Sequence, residues 1–517
     1  MKINEMNRLD FLSKNHSSSN AFTLVHSNEP EGRGDRLKRI LLPFISFLII
    51  SSCSQVGPPK PFGPVPSDRQ LSWHEMEYYM FVHFTVNTFT DMEWGYGDEK
   101  ESVFNPSGLD CRQWAKVAKD AGMKGIIITA RHHDGFCLWP SMYTSHSVKN
   151  SPWKNGRGDV LKELKAACDE YGLKMGIYLS PWDRNSAVYG TPAYLNYYRD
   201  QLRELLTRYG DIFEVWLDGA NGGDGYYGGA REMRHIDPKT YYDWSNTDRI
   251  IRDLQPKAVI FSDAGPDVRW VGNENGKGSL TNWCLLNRDG MYPGGNFADI
   301  LGSGNENGNY WVPAEVDVSI RPGWFWHKSQ DSLVRSPENL MDLYYSSVGM
   351  NCNLLLNVPP DKRGLLNEND IRSLLAFRDL REKEFSIDVA KSKNVTASDV
   401  RGKDFSPSNV NDGNPDTYWA TRDGRNSGEI IIDLGRATEV NRIVIQEYIK
   451  LGQRVQEFSI AGLIDGKWVT LAEGTTIGYK IIRKFPVIKA KKIKVSIIKS
   501  RACPVISNIE LYRAPGE

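Results

Sequence analysis

The feature that most constrains the fold is a repeated order of helix, glycine and strand between residues 80 and 358. Three times in succession, an amphipathic helical segment ends at a glycine and an apolar, β-branched strand follows. The three glycines are Gly122, Gly172 and Gly210. Crossovers of helical length join parallel strands, so the pattern predicts a parallel sheet built from βαβ units. The strand candidates are residues 80–86, 125–130, 175–180, 213–217, 258–262, 316–320 and 353–358.

A closed barrel and an open doubly wound sheet share this local pattern. No Gly-x-Gly-x-x-Gly motif follows the first strand, which weakens the dinucleotide-binding open sheet. We therefore expect a (β/α)8-like (TIM) barrel over residues 68–385, least regular in its later strands and closed by a helix over 368–384. From Ser386 short alternating strands predominate, which predicts a C-terminal β-sandwich (jelly-roll) domain over 386–517. Its strand candidates are 429–433, 442–445, 458–460 and 492–497.

Charge balance narrows the class of partner. The 517 residues contain 64 Lys plus Arg and 64 Asp plus Glu, so the net charge is zero. Nucleic acid and anionic membrane surfaces are therefore not expected as main partners. The 15 Trp and 23 Tyr suit sugar rings, although a large core would use them equally well.

The first 53 residues are typical of an export signal. Basic residues from Arg36 to Arg39 precede the apolar run 40–50, which is too short to span a membrane. Ser51 and Ser52 then lead to Cys53, an order that resembles a bacterial lipobox. We expect an exported bacterial-type lipoprotein in the periplasm or outer membrane, held only by a lipid on Cys53, with plain secretion as the alternative. Residues 54–67, rich in Pro and Gly, would form a tether.

The other six cysteines are scattered, without Cys-x-x-Cys spacing or suitably placed His partners. This argues against a structural zinc site. In a chain of this size we expect buried free thiols instead of a disulfide framework.

The run Phe213-Glu-Val-Trp-Leu-Asp218 ends a predicted buried strand in one carboxylate followed by Gly219. At the C-terminal tip of a barrel strand such a carboxylate points into the region where chemistry takes place. The alternative is an aspartate that only caps the next loop.

Polar and aromatic side chains also follow the other strands. Such loops converge on one face of a barrel and would form a pocket of His, Trp, Tyr and carboxylates. Glycoside hydrolysis requires a carboxylate pair of this kind, one nucleophile or base and one acid with a raised pKa. His132 and His133 could contact sugar hydroxyls, bind a metal or pack structurally, and these alternatives stay open here. The loops contain His83, Asn87, Glu93 and Trp94; Arg131 to Phe136; Tyr178, Trp182 and Asp183; Asp263; Arg269 to Glu274; Glu315; and Arg321 to His327.

Several motifs in order resemble glycoside hydrolase family 29, the α-L-fucosidases. The resemblance covers residues 68–385. The block Gly265-Pro-Asp-Val-Arg-Trp-Val-Gly-Asn-Glu274 is similar to the branch that prefers α-1,3/1,4-linked fucose on branched, Lewis-type glycans. The motifs are His83-Phe-Thr-Val-Asn-Thr-Phe89, Glu93-Trp-Gly95, His132-His-Asp-Gly-Phe136, Trp139-Pro-Ser141, Tyr178-Leu-Ser-Pro-Trp182 and Trp216-Leu-Asp-Gly219.

This resemblance implies a retaining exo-α-L-fucosidase that needs no cofactor for catalysis. Asp218 would be the nucleophile and Glu274 the general acid/base, with Glu315 as a rival acid. A fucosylated oligosaccharide or glycoconjugate would be the substrate. A non-catalytic glycan-binding lipoprotein is the alternative. The implied binding residues are His83, His132 and His133 on the fucose hydroxyls; Glu93, Trp94 and Tyr178 lining the pocket; Trp324 against the methyl group of fucose; and Arg269 supporting the acid/base or the leaving sugar.

The C-terminal domain resembles the discoidin-like β-sandwich of family 32 carbohydrate-binding modules. The matching pieces are Asn411-Asp-Gly-Asn-Pro-Asp-Thr-Tyr-Trp419 and Ile509-Glu-Leu511. The segment 446–454 is similar to enzyme-associated versions that pack on the barrel. The resemblance implies a structural calcium, although a calcium-free turn would have the same composition. Its ligands would be Asp412, Asn414, Thr417 and Glu510.

Overall fold

The computed structural model describes residues 56–515, and in it eight parallel strands close into a barrel. Each strand pairs with the next along the chain, and the last pairs with the first. The predicted (β/α)8-like barrel is therefore confirmed. The strands are β1 (Tyr78–Val82), β2 (Gly125–Arg131), β3 (Lys174–Leu179), β4 (Glu214–Trp216), β5 (Val259–Ser262), β6 (Val268–Trp270), β7 (Ala314–Ser319) and β8 (Asn353–Asn357).

Nine α-helices lie within the described residues. Two of them begin at an aspartate cap, since Asp110 and Asp159 accept backbone N–H groups of their first turns. Gly172 ends one of them in the left-handed conformation, at φ 67°. The helices are α1 (Asp68–His74), α2 (Val86–Thr90), α3 (Cys111–Asp120), α4 (Val160–Tyr171), α5 (Pro192–Arg208), α6 (Trp244–Leu254), α7 (Ala298–Ser303), α8 (Pro337–Ser347) and α9 (Glu368–Glu384).

The barrel is irregular between β5 and β7. The loop 263–267 joins β5 directly to β6 without a helix, and the sequence pattern did not predict β6. A strand of three residues without a preceding helix leaves no periodic signal to recognise. The connection to β7 contains α7 and a small antiparallel sheet of Leu285–Leu286 with Tyr310–Trp311. A second small sheet, Gly223–Gly225 with Glu232–Arg234, lies in the long segment after β4.

The inside of the barrel is filled by large apolar side chains. They form one buried cluster that includes Tyr79, Phe81, Trp216, Phe261 and Leu355. Trp216 and Phe261 stack with centroids 4.1 Å apart at an interplanar angle of 12°. Side chains alternate along a strand, so the residue two positions after each of these also points toward the barrel axis. These later residues lie nearer the carboxyl end of the strands. The barrel interior is therefore filled with side chains, and a ligand can bind only at its mouth.

Residues 394–512 form seven antiparallel strands around a separate apolar core, which confirms the predicted C-terminal β domain. The predicted strands 429–433 and 442–445 belong to one strand of 20 residues, with a register shift between Asp433 and Thr438. Such an irregularity interrupts the alternation that a sequence pattern relies on. The strands are β9 (Asn394–Ala397), β10 (Trp419–Ala420), β11 (Gly428–Glu447), β12 (Val455–Ile464), β13 (Lys467–Gly474), β14 (Ile481–Ser500) and β15 (Val505–Tyr512).

The C-terminal domain packs on the barrel through buried polar contacts. The Gln453 amide accepts from the backbone N–H of Cys284 at 2.6 Å and donates to the carbonyl of Asn282 at 2.9 Å. Asn351 accepts from the N–H of Tyr479 at 2.7 Å. Gln453 belongs to the segment that resembles enzyme-associated modules. The domain therefore contacts the long connection after β6 and the loop between α8 and β8, at the amino end of β8.

The predicted tether contains no helix or strand between residue 56 and α1, but it is not free. Arg401 and Arg454 donate to the carbonyls of Gly57 at 2.7 Å and Lys60 at 2.7 Å. The N–H of Phe62 donates to the carbonyl of Leu451 at 3.0 Å. From Gly57 onward this segment therefore lies along the C-terminal domain.

The predicted export region 1–53, with its lipidation residue Cys53, lies outside the described residues. Within residues 56–515 no helix combines the length and apolar character needed to cross a membrane. The six cysteines in that range are all buried and free.

Candidate active site

Four polar side chains lie at the mouth of the barrel, directly beyond the apolar side chains of the interior. His83, Asp218, Asp263 and Asn357 each stand two residues after an interior side chain, namely Phe81, Trp216, Phe261 and Leu355. The period of two along a strand therefore brings them to one mouth. The predicted position of Asp218 at a strand tip follows from the same rule.

The Asp218 carboxylate is held at both oxygens. Tyr178 donates its hydroxyl to Oδ2 at 2.9 Å, and the N–H of Ala220 donates to Oδ1 at 2.7 Å. His133 Nε2 lies 3.9 Å from Oδ2. The carboxylate side chain keeps 24% of its surface exposed, so a ligand can reach it. Asp218 is thus oriented and accessible, unlike a residue that only caps a loop.

Glu274 reaches the same mouth from the loop after β6. The indole N–H of Trp324 donates to its Oε2 at 3.3 Å. Desolvation by the surrounding residues raises the pKa of the solvent-exposed Glu274, and the charges of Asp218 and Glu93 raise it further, against the lowering effect of the Trp324 hydrogen bond. A carboxyl with a raised pKa therefore lies at the same mouth as the oriented carboxylate of Asp218.

Glu315, the rival acid, lies deep inside the barrel. It is fully buried, accepts from the indole N–H of Trp216 at 2.9 Å and from the hydroxyl of Tyr79, and faces Glu214. Burial raises the pKa values of both Glu214 and Glu315. The side chain stands at the start of β7, far below the mouth. This position removes Glu315 as the acid/base.

His83 is held as a neutral ring with a defined tautomer. Its Nδ1 lies 2.9 Å from Oδ1 of Asn357, whose amide nitrogen donates to the carbonyl of Trp324 at 2.8 Å. The amide orientation therefore places the proton on Nδ1 and leaves Nε2 as an acceptor. Burial lowers the pKa of His83 to about 3. A neutral acceptor suits a sugar hydroxyl.

His133 is constrained in the same way. Ser180 donates its hydroxyl to the carbonyl of Trp182 at 2.6 Å, so its oxygen accepts from His133 Nδ1 at 2.7 Å. Burial lowers the pKa of His133 to about 4. Its Nε2 is then a second neutral acceptor, close to Asp218.

His132 stacks on Tyr178, with centroids 5.7 Å apart at 14°. Burial lowers its pKa well below the usual range. Its Nδ1 is buried and has no hydrogen-bond partner among the residues that the structure describes. An unpaired buried nitrogen beside a pocket is the kind of group that a ligand or a water satisfies. Gly135, at φ 81°, makes the turn below these rings, and a Cβ there would lie 2.5 Å from Asp183.

An aromatic and acidic rim surrounds the histidines. The half-exposed Trp94 ring packs edge-on against His133 at 5.2 Å. Trp324 lies 5.1 Å from the His83 ring. Glu93 accepts from the backbone N–H of Trp324 at 2.8 Å and pairs with His327 at 2.6 Å. Glu93 thus fixes the loop that presents Trp324.

The structure contradicts the predicted role of Arg269 in substrate binding. Arg269 is fully buried on the outer face of β6, while its neighbours Val268 and Trp270 face the interior. Its guanidinium donates to the carbonyls of Leu301, Val312 and Trp283 and to the side chain of Asn282. The residue holds together the long connection between β6 and β7. It cannot reach the leaving sugar.

Residues 56–515 contain no group of three or more His, Cys, Asp or Glu side chains placed to hold a metal ion. Three of the predicted calcium ligands do share one loop. Asp412 accepts from the N–H of Asn414 at 2.8 Å and from the hydroxyl of Thr417 at 2.7 Å. Glu510 instead accepts from Asn508 and Tyr512 and lines a recess with Tyr344 and Arg381 of the barrel. The predicted set of four therefore does not fit one ion, since Glu510 faces the barrel.

Some site residues were not predicted from the sequence. They are Asn357 and Ser180, which fix the two histidine tautomers. Asn357 ends β8, so the rule that identified Asp218 would have found it if applied to the last strand. Ser180 gave no comparable signal, because its role depends on a hydrogen bond across the loop.

Comparisons with known proteins agree with this geometry. The family model described as alpha-L-fucosidase matches residues 62–379, and the model described as F5/8 type C domain matches residues 394–510. Alpha-L-fucosidase 1 of Arabidopsis thaliana is 44% identical over 488 residues, covering 92% of this chain and 94% of the plant protein.

Solved structures give the same result. A glycoside hydrolase 29 family member from an unknown rumen bacterium is 47% identical, with a TM-score of 0.80 over 89% of this chain and 79% of that one. A GH29 fucosidase of Ruminococcus gnavus in complex with fucose is 35% identical, with a TM-score of 0.81 over 89% of this chain and 97% of that one. The chain is therefore a glycoside hydrolase that belongs to the α-L-fucosidases of family 29.

Proposed function

We propose that this α-L-fucosidase removes terminal L-fucose with retention of configuration, using Asp218 as nucleophile and Glu274 as general acid/base. The observation that carries the proposal is the pair of unlike carboxyl groups at one mouth. Asp218 is oriented by two hydrogen-bond donors, whereas desolvation raises the pKa of Glu274. Glycosidases separate their two carboxyl roles in this way.

In the first step an Asp218 oxygen attacks the anomeric carbon of fucose, and the bond from that carbon to the leaving oxygen breaks. Glu274 gives its proton to the leaving oxygen. In the second step Glu274 takes a proton from water, the water oxygen attacks the anomeric carbon, and the bond to Asp218 breaks. The carboxylate of Asp218 and the proton on Glu274 are thereby restored.

The neutral histidines bind the sugar in this proposal. The Nε2 atoms of His83 and His133 accept fucose hydroxyls, and the unpaired Nδ1 of His132 gains a partner through the ligand or a water. Trp324 provides the apolar wall for the methyl group. Trp94 and Glu93 border the pocket. With neutral histidines, the charges around the sugar come from carboxyl groups, which suits a transition state with positive charge on the ring.

We further propose a preference for α-1,3/1,4-linked fucose on branched, Lewis-type glycans. The support is the resemblance of the block 265–274, which contains β6 and the start of the loop that carries Glu274. The long segment 219–243 borders the same mouth, and its form would decide which leaving sugars fit.

The test is fucose release from a Lewis-type trisaccharide, an α-1,2-fucosylated trisaccharide and an aryl fucoside. Asp218→Asn should abolish release from all three. Glu274→Gln should nearly abolish release from the trisaccharides but spare much of the activity on an aryl fucoside, whose leaving group needs less help from an acid. Full activity of Asp218→Asn would refute the nucleophile, and equal rates on the two trisaccharides would refute the linkage preference. No observation favours the non-catalytic alternative.

Two further proposals rest on the sequence alone. A lipid anchor on Cys53 would place the enzyme on a periplasmic or outer membrane surface, although the relatives named above include a plant protein, which gives it no support. Labelled palmitate should enter the chain in a bacterial host and not enter Cys53→Ala. A calcium ion held by the loop of Asp412, Asn414 and Thr417 should raise the melting temperature, and a chelator should lower it.

A further inference from the structure

A second carboxyl stands beside the nucleophile. Strands β4 and β5 are parallel neighbours, and Trp216 and Phe261 are paired in register. Asp218 and Asp263 each follow two residues later, so they take adjacent positions on the same inward face. The tight loop 263–267 keeps Asp263 at the mouth. No step of the proposed mechanism uses this residue.

Asp263 touches the backbone directly after the nucleophile. A Cβ on Gly219 would lie 2.0 Å from Asp263 Oδ2, so only glycine leaves room for the carboxyl there. The same oxygen accepts the N–H of Gly294 at 2.8 Å. The Asn221 amide donates to the carbonyl of Gly219 at 2.8 Å. Asp263 therefore joins the loops after β4 and β5 to the loop around Gly294.

We propose that Asp263 is a positioning residue of the fucosidase site, which fixes the loop carrying Asp218 and adds a second negative charge beside the anomeric carbon. This inference rests on the proposed role of Asp218. It deepens that role, because the nucleophile then acts as one member of a carboxylate pair.

Among the charged groups around Asp263, Asp218 has the largest electrostatic effect on its carboxyl. On the loop that carries Gly294, Arg288 donates to the carbonyl of Ala264 at 2.9 Å. At the far end of its own loop, Asp267 is paired with Arg69 and Arg252. Beyond Asp218 on the β2 loop stands His133, which burial keeps neutral. Burial raises the pKa of Asp263 to about 6, and the charge of Asp218 contributes to that rise.

An anion at Asp263 would favour the transition state over the bound substrate. The ring of the sugar becomes positive as the leaving bond breaks, and a nearby fixed negative charge stabilises that state more than the neutral ground state. Protonation of Asp263 removes the charge. The rate should therefore fall as the pH drops through about 6.

The experiment measures kcat and KM for 4-nitrophenyl α-L-fucoside from pH 4.5 to 8 in three variants of the full chain, together with their melting temperatures. Asp263→Asn removes the charge but keeps an oxygen for the Gly294 N–H. Asp263→Ala removes both. Asp248→Asn is the matched control, since Asp248 is a carboxyl on α6 whose pKa burial also raises, to about 7, but which lies outside the mouth.

We expect Asp263→Asn to lower kcat about tenfold at pH 7 with little change in KM or melting temperature, and to lose the acidic limb near pH 6. Asp263→Ala should also melt lower. Asp248→Asn should match the wild type in kcat and KM. If Asp263→Asn kept the wild-type kcat and acidic limb, the charge role would be refuted, and the lower melting temperature of Asp263→Ala would then indicate a purely structural carboxyl. Full activity of Asp218→Asn would instead overturn the proposed function itself.

Discussion

Replacing Arg269 by Met distinguishes a role in substrate binding from a role in stabilising the fold. The sequence resemblance implied contact with the acid/base or the leaving sugar, whereas the structure buries the guanidinium completely among backbone carbonyls. Met keeps the length of the side chain and removes the charge and the donors. The expected result is therefore loss of stability without loss of substrate affinity.

The magnitude follows from the contacts. The guanidinium makes four hydrogen bonds, to the carbonyls of Leu301, Val312 and Trp283 and to the amide oxygen of Asn282. Bonds from a charged group contribute about 1.5–3 kcal/mol each, so their loss costs roughly 6–12 kcal/mol. Burial lowers the pKa of Arg269 to about 10. Removing this buried charge therefore offsets about 3 kcal/mol of the lost free energy of unfolding. The free energy of unfolding should fall by roughly 3–9 kcal/mol.

The assay compares melting temperature by calorimetry with KM for an aryl fucoside at 25 °C. A chain of this length loses about 1 °C for each kcal/mol, so we expect Arg269→Met to melt about 3–9 °C lower with KM within about twofold of wild type. Arg249→Met, on the exposed face of α6, is the control and should melt within about 1 °C of wild type. An unchanged melting temperature together with a tenfold higher KM would refute the structural role and restore the one implied by the resemblance.

Three other changes test separate contacts. Trp324→Phe removes the indole donor that lowers the pKa of Glu274. The pKa of Glu274 should therefore rise, and the basic limb of the kcat/KM profile should move up by less than about 1 pH unit. A basic limb that stays in place would contradict the contact. In the folded chain burial raises the pKa values of Glu214 and Glu315, so each carboxyl retains a proton that the unfolded chain releases above about pH 4.5. Each should therefore lower the stability by about 1.4 kcal/mol per pH unit, up to about pH 7 for Glu315. The slope measured for Glu315→Gln should be smaller by about that amount, and an identical slope would contradict the argument. Gln453→Ala leaves the buried N–H of Cys284 and the carbonyl of Asn282 unpaired. Denaturant unfolding should show a free energy of unfolding lower by about 2 kcal/mol or more, with unchanged kcat. An unchanged free energy of unfolding would mean that this contact between the domains contributes little.

The nucleophile and the acid/base were predictable to different degrees. Asp218 stands out in the sequence because a buried strand ends in it, and strand periodicity assigns its direction. Glu274 was only one of several polar residues in the loops, and its role as acid/base came from the family resemblance alone. Arg269 was misassigned because β6 is short and has no helix before it. Once β6 is known, the inward positions of Val268 and Trp270 place Arg269 outside the barrel.

By itself the sequence determined the alternating strands and helices, the separate β domain and the tips of the early strands, because these depend on local periodicity and on capping residues. Only the tertiary structure decided which carboxyls share the mouth, that Glu315 lies deep inside, and that Glu510 faces the barrel. It also fixed the protons of His83 and His133, which are set by Asn357 and Ser180 on other elements. These properties depend on distances between residues far apart in the chain, and no pattern within one segment contains that information.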